Sequence, residues 1–137
     1  MSLAGLERQG GGVIHWRWSV TYPTGRTLRY SYSNAGRPVS AVDSANSINY
    51  ALSGSYAPQG ALASLLHGQV SGGFTGITAS ATYNNRLEPA NLQATSSNGT
   101  VLNLTYSFSS GGGNNGSVYS ITNSLDTGRP RPSPMTS

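Results

Sequence analysis

The chain has 137 residues, a net charge of +4, no cysteine, and only 9% charged side chains. It is the size of one domain or of a segment of something larger. The missing cysteine excludes a disulfide framework and a thiolate metal site, and the eight bases, all arginine, are too scattered for a dedicated phosphate-binding face. Gly, Ser, Thr and Asn account for 63 residues, while Leu, Ile, Val and Phe supply only 25. Eight Tyr, two Trp and two Phe therefore carry much of the apolar area, a pattern of short strands and many turns. No apolar run approaches the roughly 18 residues of a membrane span. The opening MSLAGLERQGGG has neither the basic start nor the apolar stretch of a signal peptide.

In chain order, SLAGLER admits one short helical turn. Trp16, Trp18, Val20 and Tyr22 then alternate with His15, Arg17, Ser19 and Thr21, as a strand requires. YPTGR breaks the pattern, with Pro23 setting φ and Gly25 tolerating a positive one. Leu28, Tyr30 and Tyr32 resume it, SNAGR turns the chain, and a strand starts over Val39 to Val42. Ile48, Tyr50 and Leu52 alternate and Tyr56 closes that strand before APQG. Leu62 to Leu66 reads as the next strand, although GALASLLHG also fits a short helix ending at Gly68. Ile77, Ala79, Ala81 and Tyr83 precede NNR, and Leu87 to Ala94 form a strand after it. Asn98-Gly99 is a type I′ hairpin signal. Leu102, Leu104, Tyr106 and Phe108 make the cleanest stripe, SSGGGNNG is a long loop, and Val118 to Thr122 is the last strand.

Tyr32, Tyr56, Tyr83 and Tyr106 each precede a turn, at intervals of 24, 27 and 23 residues. Gly36 and Gly60 follow the first two by four positions, Leu87 occupies that place after the third, and Gly116 comes late after the fourth. A period in the low twenties with one hairpin per unit points to a repeat architecture, in which stacking covers what each unit leaves exposed.

The stretch YSYSNAGRPVSAV resembles a tyrosine–aspartate (YD) repeat of the rearrangement-hotspot (Rhs) family. Gly25, Tyr30, Tyr32, Gly36 and Arg37 match its pattern; Ser33 replaces the eponymous Asp and Pro38 the usual Leu. YAPQGAL and YNNRLEP resemble degenerate copies. The resemblance implies an all-β fold of consecutive antiparallel hairpins in a twisted sheet, here an open fragment of a β-shell. Such shells enclose toxic segments in bacterial toxins and form scaffolds in teneurins. It further implies a secreted or cell-surface parent protein whose neighbouring repeats are the partners, or self-association through edge strands in their absence.

Three parts are expected: 1–18, an extension and the start of the first strand; 19–128, about four repeats; and 129–137, a Pro-rich disordered tail. A one-base shift lets Arg131 to Thr136 encode Gln-(Thr or Ala)-Phe-Thr-Tyr-Asp, so the tail also reads as a frameshifted repeat.

No catalytic, cofactor or metal site is expected. Ser44, Asp43 and His67 form a triad only on paper, since serine is abundant and no Gly-x-Ser-x-Gly elbow exists. The alternative is a carbohydrate-binding or adhesive module presenting Trp16 and Trp18. A single-strand nucleic-acid binder is disfavoured, because alternation puts the strand arginines and the aromatics on opposite faces.

Overall fold

The computed structural model describes residues 2–4, 17–109 and 111–126. These form one open antiparallel sheet without a helix, its strands in sequence order. Nine strands run from β2 (Arg17–Thr21) through β3 (Thr27–Tyr32), β4 (Pro38–Asp43), β5 (Ile48–Tyr56), β6 (Leu62–Val70), β7 (Ile77–Tyr83), β8 (Pro89–Ser96) and β9 (Gly99–Ser107) to β10 (Ser120–Asn123). A short β1 (Ser2–Ala4) pairs with β2 at the outer edge. The expected hairpin succession, twelve or fewer residues between strands, is thus what forms.

Both helical alternatives are corrected. GALASLLHG lies largely in β6, paired on one side to β5 and on the other to β7. Two flanking ladders outweigh the modest helix preference of Ala and Leu. Ser2 to Ala4 of SLAGLER is a strand and the rest lies outside the described residues. The hairpin at SSNG also differs in detail. Its two loop residues are Ser97 and Asn98, between the facing pair Ser96 and Gly99. Neither loop residue has positive φ, so the turn is not type I′; Gly99, the first strand residue, takes the positive value, 116°, and the register shifts at Val101, between Thr100 and Leu102. The strand expected from Leu87 begins at Pro89, because Leu87 belongs to the turn, and the last strand begins at Ser120.

Register gives the two faces different chemistry. Trp18, Tyr30, Ala41, Ala51, His67 and Ile77 line up across six strands. Leu65, Ala79, Ala94 and Leu102 form a second row, and Ala81, Leu92 and Leu104 a third. The opposite face joins its strands by polar pairs. Ser31 and Ser40 share a hydroxyl–hydroxyl bond, Asn49 donates to Gln69 at 2.9 Å, and Asn91 donates to Asn103 at 2.7 Å. The abundance of Ser, Thr and Asn is thereby given a use, as cross-strand pairs. Arg29 is exposed on the face opposite Tyr30, as alternation requires.

No second layer covers either face among the described residues. Leu28 and Phe108 are the only buried apolar side chains there, and the one fully buried polar side chain is Asp43.

At one point backbones approach too closely for any side chain. Gly76 has φ +90°, and a Cβ there would meet Leu66 Cδ1 at 2.7 Å and the His67 carbonyl oxygen at 2.8 Å. Gly76→Ala should cost more than about 1 kcal/mol, since both conformation and space oppose it. Gly112→Ala, with nothing within 4 Å and ordinary φ, should stay within about 0.5 kcal/mol of the parent. Urea denaturation of the two variants checks the contrast.

Candidate functional site: the stapled row of turns

Consecutive turns alternate between the two ends of the strands. One end carries turns 33–37, 57–61 and 84–88 and the loop 108–119; the other carries 22–26, 43–48, 70–74 and 96–99. Four of the turns share one hydrogen-bond pattern together with a positive φ at the fourth residue; turn 70–74 makes the same two bonds without that φ. Residue 22 donates its amide to the carbonyl of Arg26, and Gly25 donates to the carbonyl of Tyr22, at 2.8 and 2.9 Å. The same two bonds recur at Ser33 with Arg37 and Gly36, at Ala57 with Ala61 and Gly60, and at Asn84 with Glu88 and Leu87. The fourth residue of each has positive φ: 82° at Gly25, 72° at Gly36, 98° at Gly60 and 66° at Leu87. Three glycines accommodate this freely, whereas Leu87 adopts it with a Cβ.

The first residue of the turn explains why a short polar side chain suits it. Ser33 Oγ accepts the amide of Arg37 at 3.3 Å. Asn84 Oδ1 accepts the amides of Arg86 and Glu88 at 2.9 and 3.1 Å. Such a side chain closes the turn from within.

The tyrosines preceding these turns tie one turn to the next. Tyr56 donates its hydroxyl to the carbonyl of Pro38, the residue just past turn 33–37, at 2.6 Å. Tyr83 donates to the carbonyl of Leu62, just past turn 57–61, at 2.9 Å. Arg37 lies over the Tyr56 ring at 5.3 Å and against Gly60, whose Cβ would sit 3.2 Å from its guanidinium. At the row's far end Arg86 donates to the carbonyl of Asn114 at 2.6 Å, reaching the long loop. The opposite row has a counterpart: Arg26 stacks on Tyr22 at 5.0 Å and Tyr50 at 5.5 Å, and donates to the Tyr50 hydroxyl.

Tyr30 is half-buried between Trp18 and Ala41, and burial, reinforced by Tyr22, pushes its phenol up from the ordinary value. Tyr32 ends β3 opposite Pro38, and Tyr106 faces Ile121 near the end of β9. Gly116 has φ +87° within the loop. Trp18 is 40% exposed; Trp16 lies outside the described residues, so the shared face that the binding alternative needs is not on view. The tail 129–137 also lies outside them.

Sequence reasoning missed the arginine contacts, because an arginine in a turn gives no sign of which neighbouring ring it reaches. It also missed the turn-holding roles of Asp43 and Glu88. Asp43 accepts Asn46 Nδ2 at 2.8 Å and the Asn46 amide at 3.2 Å; these bonds hold its carboxyl below the usual carboxylate range despite desolvation. Glu88 accepts Asn84 Nδ2 and Asn114 Nδ2 on one oxygen, at 2.7 and 2.6 Å, and is likewise lowered. The spacing Asp43-x-x-Asn46 was the one available signal, that of a side chain capping its own turn. Among the described residues, no cluster of His, Cys, Asp or Glu could hold a metal ion.

An RHS repeat covers residues 19–48. The match runs from β2 to the first residue of β5 and contains turns 22–26, 33–37 and 43–48. RHS repeats are generally non-catalytic units. No curated protein and no solved structure matches the chain.

Two measurements test this geometry. A side chain with a Cβ pays roughly 1–2 kcal/mol in the left-handed region, and glycine's extra chain entropy returns roughly half of that. Leu87 is 58% exposed, so Leu87→Gly should raise stability by about 0.5–1 kcal/mol. Gly36→Ala, with open space around the new methyl, should lower it by about 1 kcal/mol or more. The second concerns acid. Asp43 and Glu88 titrate lower folded than unfolded, so their stabilisation is complete above the unfolded carboxylate values and is lost as pH falls through the folded ones. The urea midpoint should fall between about pH 5 and pH 2, and the fall should be shallower in Asp43→Asn and Glu88→Gln.

Proposed function

We propose that the chain is a structural segment of an Rhs protein, a run of about four hairpin repeats over residues 19–128 that performs no catalysis of its own. Its partners are further hairpins, those of a larger secreted or cell-surface parent or, in their absence, the edge strands of another copy. The reading is carried by one observation. The turn that the RHS repeat contains at 33–37 recurs at 57–61 and 84–88, and a tyrosine before each later turn bonds to the backbone just past the turn before it. A contact that links each unit to the next is what a one-dimensional array requires.

Several features support the reading. Both side-chain-bearing faces are only half covered, as they would be before neighbouring units are added. The outer strand β10 presents one ladder-bonding side with no partner among the described residues. The proposed parts of the array have distinct roles. Gly25, Gly36, Gly60 and Gly116 permit turns; Tyr56 and Tyr83 staple neighbouring turns; Tyr30, Tyr32 and Tyr106 pack across strands; Arg37 seals one turn against the next.

If the tyrosines staple units rather than bind a ligand, removing the hydroxyl alone should matter. Tyr56→Phe and Tyr83→Phe should each lower stability by about 0.5–1.5 kcal/mol, the value of one hydrogen bond. Arg37→Ala should add a loss of about 0.5–1 kcal/mol that largely disappears in the Tyr56→Ala background. Unchanged urea midpoints in both phenylalanine variants would reject the stapling role.

A further inference from the structure

We propose that Asn114 is the latch of a strap, the loop 108–119, and that the strap stays closed only while Glu88 is ionised. The strap joins β9 to β10 through a stretch containing Gly111, Gly112, Gly113 and Gly116. So much glycine makes closure costly in chain entropy. It is closed at its base by the Tyr119 amide donating to the Ser107 carbonyl at 2.7 Å, beside buried Phe108.

Nearly everything that holds its middle passes through one residue. Asn114 donates Nδ2 to Glu88 Oε2 at 2.6 Å and accepts Arg86 Nη1 on its carbonyl at 2.6 Å. Its Oδ1 accepts the Gly116 amide at 2.7 Å, and it bridges to Ser109 across the strap. One asparagine thus uses its side-chain donor, its side-chain acceptor and its backbone to connect strap and turn 84–88.

The acceptor at the other end is a carboxylate oxygen serving two amides at once, Asn84 Nδ2 and Asn114 Nδ2. An ionised carboxylate has the lone pairs and charge for that; a protonated one is a weaker acceptor for both amides. The groups facing Glu88 are Arg86, with Nε 3.9 Å from Oε1, and the two asparagine amides. The strap contributes no acid or base of its own apart from the exposed Tyr119 phenol. Its opening would loosen β10, the edge strand of the sheet, more than β7 or β8, which keep their ladders to β6 and β9.

Amide exchange on the whole chain, expressed as protection factors, tests this at residue level. In the parent, protection of Tyr119 to Asn123 should fall more steeply than that of Leu92 to Thr95 in β8 as pH drops from about 7 to about 3. In Asn114→Ala, protection of Tyr119 to Asn123 should be about tenfold lower at neutral pH, the equilibrium effect of losing one charge-assisted hydrogen bond, and should lose its pH dependence. Asn114→Asp should invert the dependence. Two facing carboxylates repel at neutral pH and hold the strap open, whereas a proton shared between them at acid pH closes it again. Unchanged protection in Asn114→Ala overturns the latch. So does an equal loss in β8, which would mark a general fault in folding, or an Asn114→Asp profile with the parent's slope.

Discussion

A sheet with no second layer must find its stability in its own plane. Where two layers face each other, side chains from both remove water from between them. Among the described residues only Leu28 and Phe108 reach the buried state among apolar side chains, so contacts between adjacent strands and between adjacent turns carry what a core would otherwise supply. The rest of the structure follows from that constraint. Cross-strand rows of Ala, Leu and aromatic residues cover one face partially, and Ser, Asn and Gln pairs satisfy the other. Each strand depends on its two neighbours and on little else.

The turns are where this dependence becomes specific. A turn closed by two backbone bonds and one positive φ fixes the register of the strands it joins. The tyrosine hydroxyls then fix the spacing of one turn from the next, using a backbone carbonyl that every residue type provides. Sequence can drift at such a staple's acceptor, and it does: Pro38 and Leu62 serve equally. It can drift at the turn as well, where Leu87 stands in a place that otherwise holds glycine, with the shape retained and the strain accepted. A row of turns built this way tolerates varied sequence because each contact asks for one atom or one angle, not for a whole side chain.

Much of the architecture was legible because period-two alternation and turn residues are local signals. The strands around Trp18, Tyr30 and Leu104, and the turns at Gly25, Gly36 and Gly60, follow from neighbours two to five residues away. β6 was ambiguous for a physical reason: Ala-Leu-Ala-Ser-Leu-Leu carries no alternation, and only its pairing with β5 and β7 decides for a strand. The hairpin at Ser97-Asn98 was misplaced by one residue because a glycine with positive φ suits the loop itself and equally the first strand residue after it, which is where Gly99 stands. At the candidate site, the glycines and tyrosines were visible through their spacing. Arg37 over Tyr56, Arg86 on Asn114 and the Asn114 amide on Glu88 were not, since those partners lie 19 to 28 residues away on different hairpins and their meeting is set by the stacking itself.

The central claim is that stability is held between neighbours along the array and not in one shared core. Trp18 lies on β2, near the N-terminal edge of the sheet, and Trp16 stands two residues before it in the sequence, so tryptophan fluorescence reports on that edge, while far-ultraviolet circular dichroism reports on every strand. Urea denaturation followed by both signals separates the alternatives. The account predicts that the fluorescence midpoint comes first, because the end of an array loses its contacts before the middle does. Coincident transitions of equal steepness, the behaviour of a single cooperative domain, would contradict it.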